Sequence, residues 1–116
     1  ARAATSGTFR LMGQKVPARW LRDFLDADVR ALFMRQTLPS LVLVAAEDVQ
    51  CPPEDGTVIA EANPNAELQV IDRLSHLLRE TRAPGFADYP RQLKAAMDSR
   101  VPEVVAGWLD RQLPAD

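Results

Sequence analysis

The apolar positions of this chain fall into one short continuous run, a second interrupted one and several amphipathic stretches. Leu41-Val42-Leu43-Val44 alternates leucine and valine, passes through Ala45-Ala46, and ends in Glu47-Asp48. Runs of this kind suit strands buried on both faces, as in parallel sheets. Leu68, Val70 and Ile71 mark a second strand. Between the two, Pro52-Pro53-Glu54-Asp55 is a helix start. Proline belongs in the first turn, and acids there face the positive end of the helix dipole. Val58, Ile59 and Ala62 give this helix its expected buried side, and Asn63-Pro64-Asn65 stops it. Strand, helix, strand over roughly 30 residues is a βαβ unit, which is parallel and right-handed almost without exception. The fold class is therefore α/β, with parallel strands at about 41–45 and 67–71 and flanking helices.

The flanks are less regular. Residues 1–16 show no period and predict an irregular N-terminal segment. Pro17 opens a helix in which Trp20, Leu21, Phe24 and Leu25 share one apolar face, with Arg19, Arg22 and Asp23 on the other. That stripe predicts core packing, or else a lid-like wall over a cleft. Asp26 or Asp28 caps a second short helix whose Val29, Leu32 and Phe33 point inward. Residues 17–36 thus form a helical segment before the first strand. Residues 79–90, rich in Arg, Pro and Gly, predict a surface excursion. Tyr89, Leu93 and Met97 have helical spacing. A closing helix follows, capped by Asp98 or Ser99, with Val104, Val105, Trp108, Leu109 and Leu113 on its inner face. No repeat or low-complexity segment interrupts the chain.

Composition narrows the class. The 116 residues are 47% hydrophobic and 26% charged, which is globular, and long enough for one domain. A net charge of -2 argues against nucleic acid as a partner, since binders of that kind carry a basic face. No apolar run approaches the roughly 18 residues of a membrane span, and no leader is visible, so a cytoplasmic protein with no membrane partner is expected. The single cysteine makes no internal disulfide, and no Cys/His spacing suggests zinc, so neither metal nor cofactor is expected.

The chemistry gathers at the strand tips. In open parallel sheets, sites form beyond the carboxyl ends of the strands. Asp48 sits at the end of the first strand. His76, the only histidine, follows the second in Leu74-Ser75-His76-Leu77. Both strands point the same way, so acid and imidazole emerge at one edge, one crossover apart. A carboxylate on one imidazole nitrogen fixes the tautomer and stabilises the imidazolium formed in acyl transfer. The order acid, then histidine, is that of α/β-hydrolases, whose serine comes earlier on a G-x-S-x-G elbow.

These stretches resemble bacterial α/β-hydrolases of the dienelactone-hydrolase-like and prolyl-oligopeptidase-like esterase group. Trp20 to Asp28 resembles the aromatic segment that precedes the acid strand there. Pro39 to Pro53 resembles the acid loop P-x-L-x-x-x-G-x-x-D-x-Q-V-P, with Asp48 as the acid and Gln50 as its glutamine. Leu74 to Leu77 resembles the histidine loop L-N-H-L, and Pro102 to Leu109 the closing helix P-x-V-x-x-x-W-I. The resemblance spans about Trp20 to Leu113. It implies that residues 17–116 are the C-terminal portion of a hydrolase domain, with 38–113 supplying acid strand, crossover helix, histidine strand and closing helix. It also implies a small-molecule ester as substrate. The departures are Ala45 for the turn glycine, Cys51 for valine and Asp28-Val29 for Asp-Pro. No G-x-S-x-G occurs, and Ser6-Gly7 lacks the flanking spacing.

Each residue has a competing reading. Asp48 alone also reads as a cap of the following helix or a solvated acid at a strand end, and a lone histidine as a structural one; the pair raises both to catalytic candidates. Glu47 is expected to be exposed and Asp55 to serve the helix dipole. Ser75 is expected to diverge from the imidazole. Gln50 reads as a loop-organising hydrogen bonder. Cys51 is a rival nucleophile, since a thiolate beside histidine is reactive, but it also reads as a small hydrophobe. Three functions follow: a serine hydrolase fragment bearing Asp48 and His76 without its serine, a non-enzymatic module, or a cysteine hydrolase using Cys51. Unpaired strand edges and uncovered apolar surface predict self-association as a homo-oligomer, or a complementary N-terminal half.

Overall fold

The computed structural model describes residues 7–113. The first part of the predicted irregular segment, with Ser6, and the last three residues of the chain lie outside the described residues. At the centre is a two-stranded parallel sheet of β3 (Ser40–Ala45) and β4 (Ala66–Ile71), joined by the crossover helix α3 (Pro53–Ala62). The register runs from Ser40 opposite Ala66 to Ala45 opposite Ile71. This is the expected βαβ unit, each strand one residue longer at its start. Pro53 lies in the first turn of α3, and Glu54 and Asp55 supply its acids. The backbone N–H of Asn63 closes the helix on Ala60, while its buried side chain donates to Ser40 Oγ at 3.3 Å.

The core is small. Ala45, Ile71, Leu74 and Val101 are buried together, with Leu43, Leu78 and Val104 packed around them. Val101 and Val104 come from the closing helix α5 (Arg100–Gln112). Together with half-buried Trp108 they form its inner stripe. Val105, Leu109 and Leu113, expected on that face, are exposed. The helix is rotated so that positions 101 and 104 meet the core and 108 is half-buried, which is the i, i+3, i+7 set. On α3, Ile59 and Ala62 are half-buried as expected but Val58 is exposed. Gly56 instead makes the closest approach, because a Cβ there would overlap the Val44 side chain.

Residues 8–17 depart from the irregular segment expected. They form an antiparallel hairpin of β1 (Thr8–Leu11) and β2 (Gln14–Pro17). Its two-residue turn, Met12-Gly13, has positive φ at both positions, the combination that matches the twist of paired strands. Methionine is rare in such a turn, so the sequence carries no hairpin signal there.

Helix α1 (Ala18–Asp26) starts just after Pro17, and α2 (Val29–Met34) follows. Of the apolar face of α1 only Leu21 is half-buried among the described residues. Trp20, Phe24 and Leu25 are exposed, with Trp20 stacked on Phe24 at 5.5 Å. The expected core packing of this stripe is therefore not made within the described chain. Val29 and Leu32 are also exposed, while Phe33 is half-buried and α2 lies against α3. Asp28 is the cap of α2, accepting the Ala31 N–H at 2.9 Å. Asp28→Ala should cost the helix about 1 kcal/mol and speed amide exchange at Ala31. Unchanged exchange there would show that packing on α3 alone holds the helix.

The predicted surface excursion is partly internal. A 3₁₀ turn (Gly85–Asp88) leads into a single helical turn, α4 (Tyr89–Gln92), shorter than the Tyr89–Met97 spacing predicts. Leu93 and Met97 stay exposed while Asp88 and Gln92 are buried. Asp88 accepts a two-pronged bond from the Arg91 guanidinium, the Arg82 N–H at 2.9 Å and Gln92 Nε2 at 3.2 Å. These bonds, Arg91 first, hold its carboxyl well below the ordinary range against the opposing effect of burial.

Candidate active site

Asp48 is placed by the tip of β3. Beyond Ala45 the chain is tied to the neighbouring strand by Ala46 N–H to Ile71 O at 3.1 Å and Glu47 N–H to Leu74 O at 2.9 Å. The Asp48 carboxylate then divides its work. Its Oδ1 accepts the N–H groups of Gln50 at 2.8 Å and Cys51 at 2.9 Å, which closes the loop ahead of α3. Its Oδ2 meets His76 Nδ1 at 2.9 Å. The aspartate side chain is 12% exposed and the imidazole 39%, so the pair has a sheltered end and an open one.

His76 rides on a firmly tied loop. Ser75 N–H bonds Arg79 O at 3.0 Å, and Leu78 N–H bonds Ser75 O at 2.9 Å. Leu78 takes positive φ to make this turn. Arg79 reaches back with Nη1 to Leu77 O at 2.6 Å and across with Nε to Ala95 O at 2.8 Å. Ser75 is buried; its hydroxyl donates to Gln92 Oε1 and accepts the Leu77 N–H at 3.2 Å. Through Gln92 the histidine loop is joined to the Asp88–Arg91 cluster. This polar chain had no signal in the sequence, where residues 79–90 read as a surface excursion.

Burial pushes the Asp48 carboxyl up and is the largest single influence on it. The Cys51 and Gln50 N–H groups, then His76, together outweigh it and leave the group below its ordinary value of 3.8. A carboxyl depressed on folding contributes stability that is present above its unfolded value and is lost as pH falls through its folded one. Acid unfolding should therefore steepen below about pH 4. Asp48→Asn should remove its share of that slope and leave the parts due to Asp88, Asp98 and Glu67, which are also depressed. Fluorescence of Trp20 and Trp108 against pH measures this, and an unchanged acid limb in the variant would contradict it.

The other candidates separate clearly. Glu47 is exposed, and Asp55 lies in the first turn of α3. Ser75 faces Gln92 rather than the imidazole edge. Gln50 donates its side-chain amide to Tyr89 Oη at 3.2 Å, a long-range tie between acid loop and α4. Cys51 is exposed, and donor atoms of Asp48, Cys51 and His76 all lie within 4.8 Å of one another. These three have the donor chemistry to hold a metal ion. The sequence shows no metal spacing because this cluster is assembled by the crossover, not by neighbouring positions. Beside it, a cleft of about 320 Å³ runs between β3 and α3, lined by Val42, Val44, Cys51, Gly56 and Ile59 with Asp48 at its side.

No helix among the described residues is long and apolar enough to cross a membrane. Neither a family model, a curated protein nor a solved structure matches the chain.

Proposed function

We propose that this chain carries the acid and histidine arms of an α/β-hydrolase that cleaves small carboxylic esters, with a serine nucleophile supplied from outside these 116 residues. The observation that carries the reading is the 2.9 Å contact between Asp48 Oδ2 and His76 Nδ1 across one parallel crossover. An ionised carboxylate only accepts hydrogen bonds, so it selects the Nδ1–H tautomer and leaves a lone pair on Nε2. That nitrogen would take the serine proton as the hydroxyl attacks the ester carbonyl. It would then return the proton to the departing alcohol, and repeat both steps with water on the acyl-enzyme. Asp48 would stabilise the transient imidazolium. The acid-loop and histidine-loop motifs support the same roles.

The chain carries the base but no G-x-S-x-G serine, so its serine-dependent ester hydrolysis is expected at the solution background. The test is fluorophosphonate labelling of a protein carrying this chain together with its upstream residues. A serine labelled there, and unlabelled after His76→Ala, is the expected result. Absence of label in the unmutated protein would remove the reading.

A second reading is favoured by the exposed apolar surface. Trp20, Phe24, Leu25, Leu32 and Met34 are all more than half exposed, and β3 pairs only with β4 among the described residues. The radius of gyration is 18.0 Å, against roughly 13 Å for a compact domain of about this length. A non-enzymatic module that associates with itself or with a complementary chain accounts for that surface. Sedimentation should then show species larger than the monomer, and a monodisperse monomer would count against it.

A further inference from the structure

We propose that Asp48, Cys51 and His76 form a binding site for a borderline-soft divalent cation, Zn²⁺ foremost, and that occupancy switches off the Asp48–His76 pair. The binding claim stands on the cluster alone; the switching claim rests on the hydrolase reading.

The donor set comes first. It holds one carboxylate oxygen, one sulfur and one imidazole nitrogen, all within 4.8 Å of one another. Zn²⁺ accepts all three at roughly 2.0–2.3 Å, whereas Mg²⁺ and Ca²⁺ select oxygen ligands. Tetrahedral bonds of that length hold the ligand atoms roughly 3.5 Å apart. From the present arrangement, the 2.9 Å Asp48–His76 contact opens by about half an ångström and the widest pair closes by about one. Side-chain rotation supplies both, because Cys51 and His76 are exposed.

The surroundings favour the same use. Asp48 Oδ1 is held by the Gln50 and Cys51 N–H groups, which orients Oδ2 towards the cluster as an outer-shell bond orients a ligand. The turn that makes those bonds also brings Cys51 to the acid. Core packing does not account for the thiol, since Cys51 is exposed. Three protein ligands leave a fourth position for water, the arrangement of open zinc sites.

Binding balances simply. The thiol gives one proton to solvent and its sulfur takes the metal. If His76 binds through Nε2, the lone pair is consumed; if through Nδ1, the ring proton moves to Nε2. Either way Nε2 can no longer accept the proton of a nucleophile, and Asp48 Oδ2 has left its imidazole for the metal.

The experiment is a Co²⁺ titration of the reduced full chain, followed by Zn²⁺ displacement. A thiolate-to-cobalt charge-transfer band saturating at one equivalent, with tetrahedral visible bands, is expected. Zn²⁺ should erase it and excess Mg²⁺ should not. Cys51→Ser should abolish the charge-transfer band, and His76→Gln should weaken cobalt binding at least about tenfold. Both side chains are exposed, so both variants are expected to fold, which circular dichroism checks. Absence of the band, or a band unchanged in affinity by His76→Gln, overturns the site. Because the readout is a spectrum, a failure of serine labelling leaves the binding result standing, and a failure of cobalt binding leaves the hydrolase reading untouched.

Discussion

Gly56→Val is expected to destabilise the chain by about 1–3 kcal/mol and to lift the crossover helix from the sheet. Gly56 lies in the first turns of α3, directly over Val44 of β3. An added Cβ there would overlap Val44 Cγ2 and come within 3.7 Å of Val42 Cγ1. Val44 is 6% exposed and, as a β-branched residue in a strand, has few rotamers in which to clear an added Cβ. A β-branched side chain has almost no rotamer freedom in a helix, so valine cannot turn away either. Gly56→Ala tests the sign more sharply. In an open helix it would gain nearly 1 kcal/mol in propensity, and here the overlap should reverse that. Urea unfolding followed by circular dichroism reads both variants. A midpoint lowered by roughly 1 M for valine is expected if m is near 1–3 kcal/mol/M. An unchanged or raised midpoint would show that α3 rests on the sheet more loosely than the Gly56–Val44 approach requires. The consequence reaches the site, because α3 begins at Pro53, just beyond Cys51. A helix forced outwards carries Cys51 from Asp48 and His76, so the same variant should weaken cobalt binding.

What could be read from the sequence divides along physical lines. The βαβ unit was legible because a continuous apolar run and a second stretch with Leu68, Val70 and Ile71 flank a proline-and-acid helix start. Once strand direction is fixed, the meeting of Asp48 and His76 follows from topology. The hairpin at 8–17 was not legible, because Met12 occupies a left-handed position usually marked by Asn, Asp or Gly. The stripe on α1 was legible as a stripe, but a periodic apolar face looks the same whether or not its own chain covers it. The Ser75–Gln92–Asp88–Arg91 chain was hidden because its members are polar residues in or beside segments that read as loops; only the fold shows that Ser75, Gln92 and Asp88 are buried and that the four are bonded to one another. Cys51 was visible as a rival nucleophile, but its proximity to both other donors depends on the crossover and on the two N–H bonds to Asp48 Oδ1.

In the complete enzyme proposed above, Asp48→Asn is expected to lower turnover by roughly four orders of magnitude. The size follows from what asparagine keeps and what it loses. Its oxygen can still accept the Gln50 and Cys51 N–H groups, so the acid loop keeps its shape. Its other atom is an amide nitrogen, which donates where Oδ2 accepted. Facing His76 Nδ1, it selects the tautomer with the proton on Nε2, and the base then has no lone pair for the serine. The charge that would steady an imidazolium is gone as well. Asp48 touches no substrate in this scheme, so KM should change little while kcat collapses, the pattern of an interaction made only in the transition state. Steady-state hydrolysis of a small activated ester, with unchanged circular dichroism as the control, separates this from a structural role. A variant that keeps kcat would leave Asp48 as the cap of the 48–51 loop and nothing more. One that loses kcat and its fold together would be uninformative alone, so His76→Gln is run beside it. An exposed imidazole can be replaced without disturbing the core, and the same loss of turnover there ties the effect to the pair rather than to the loop.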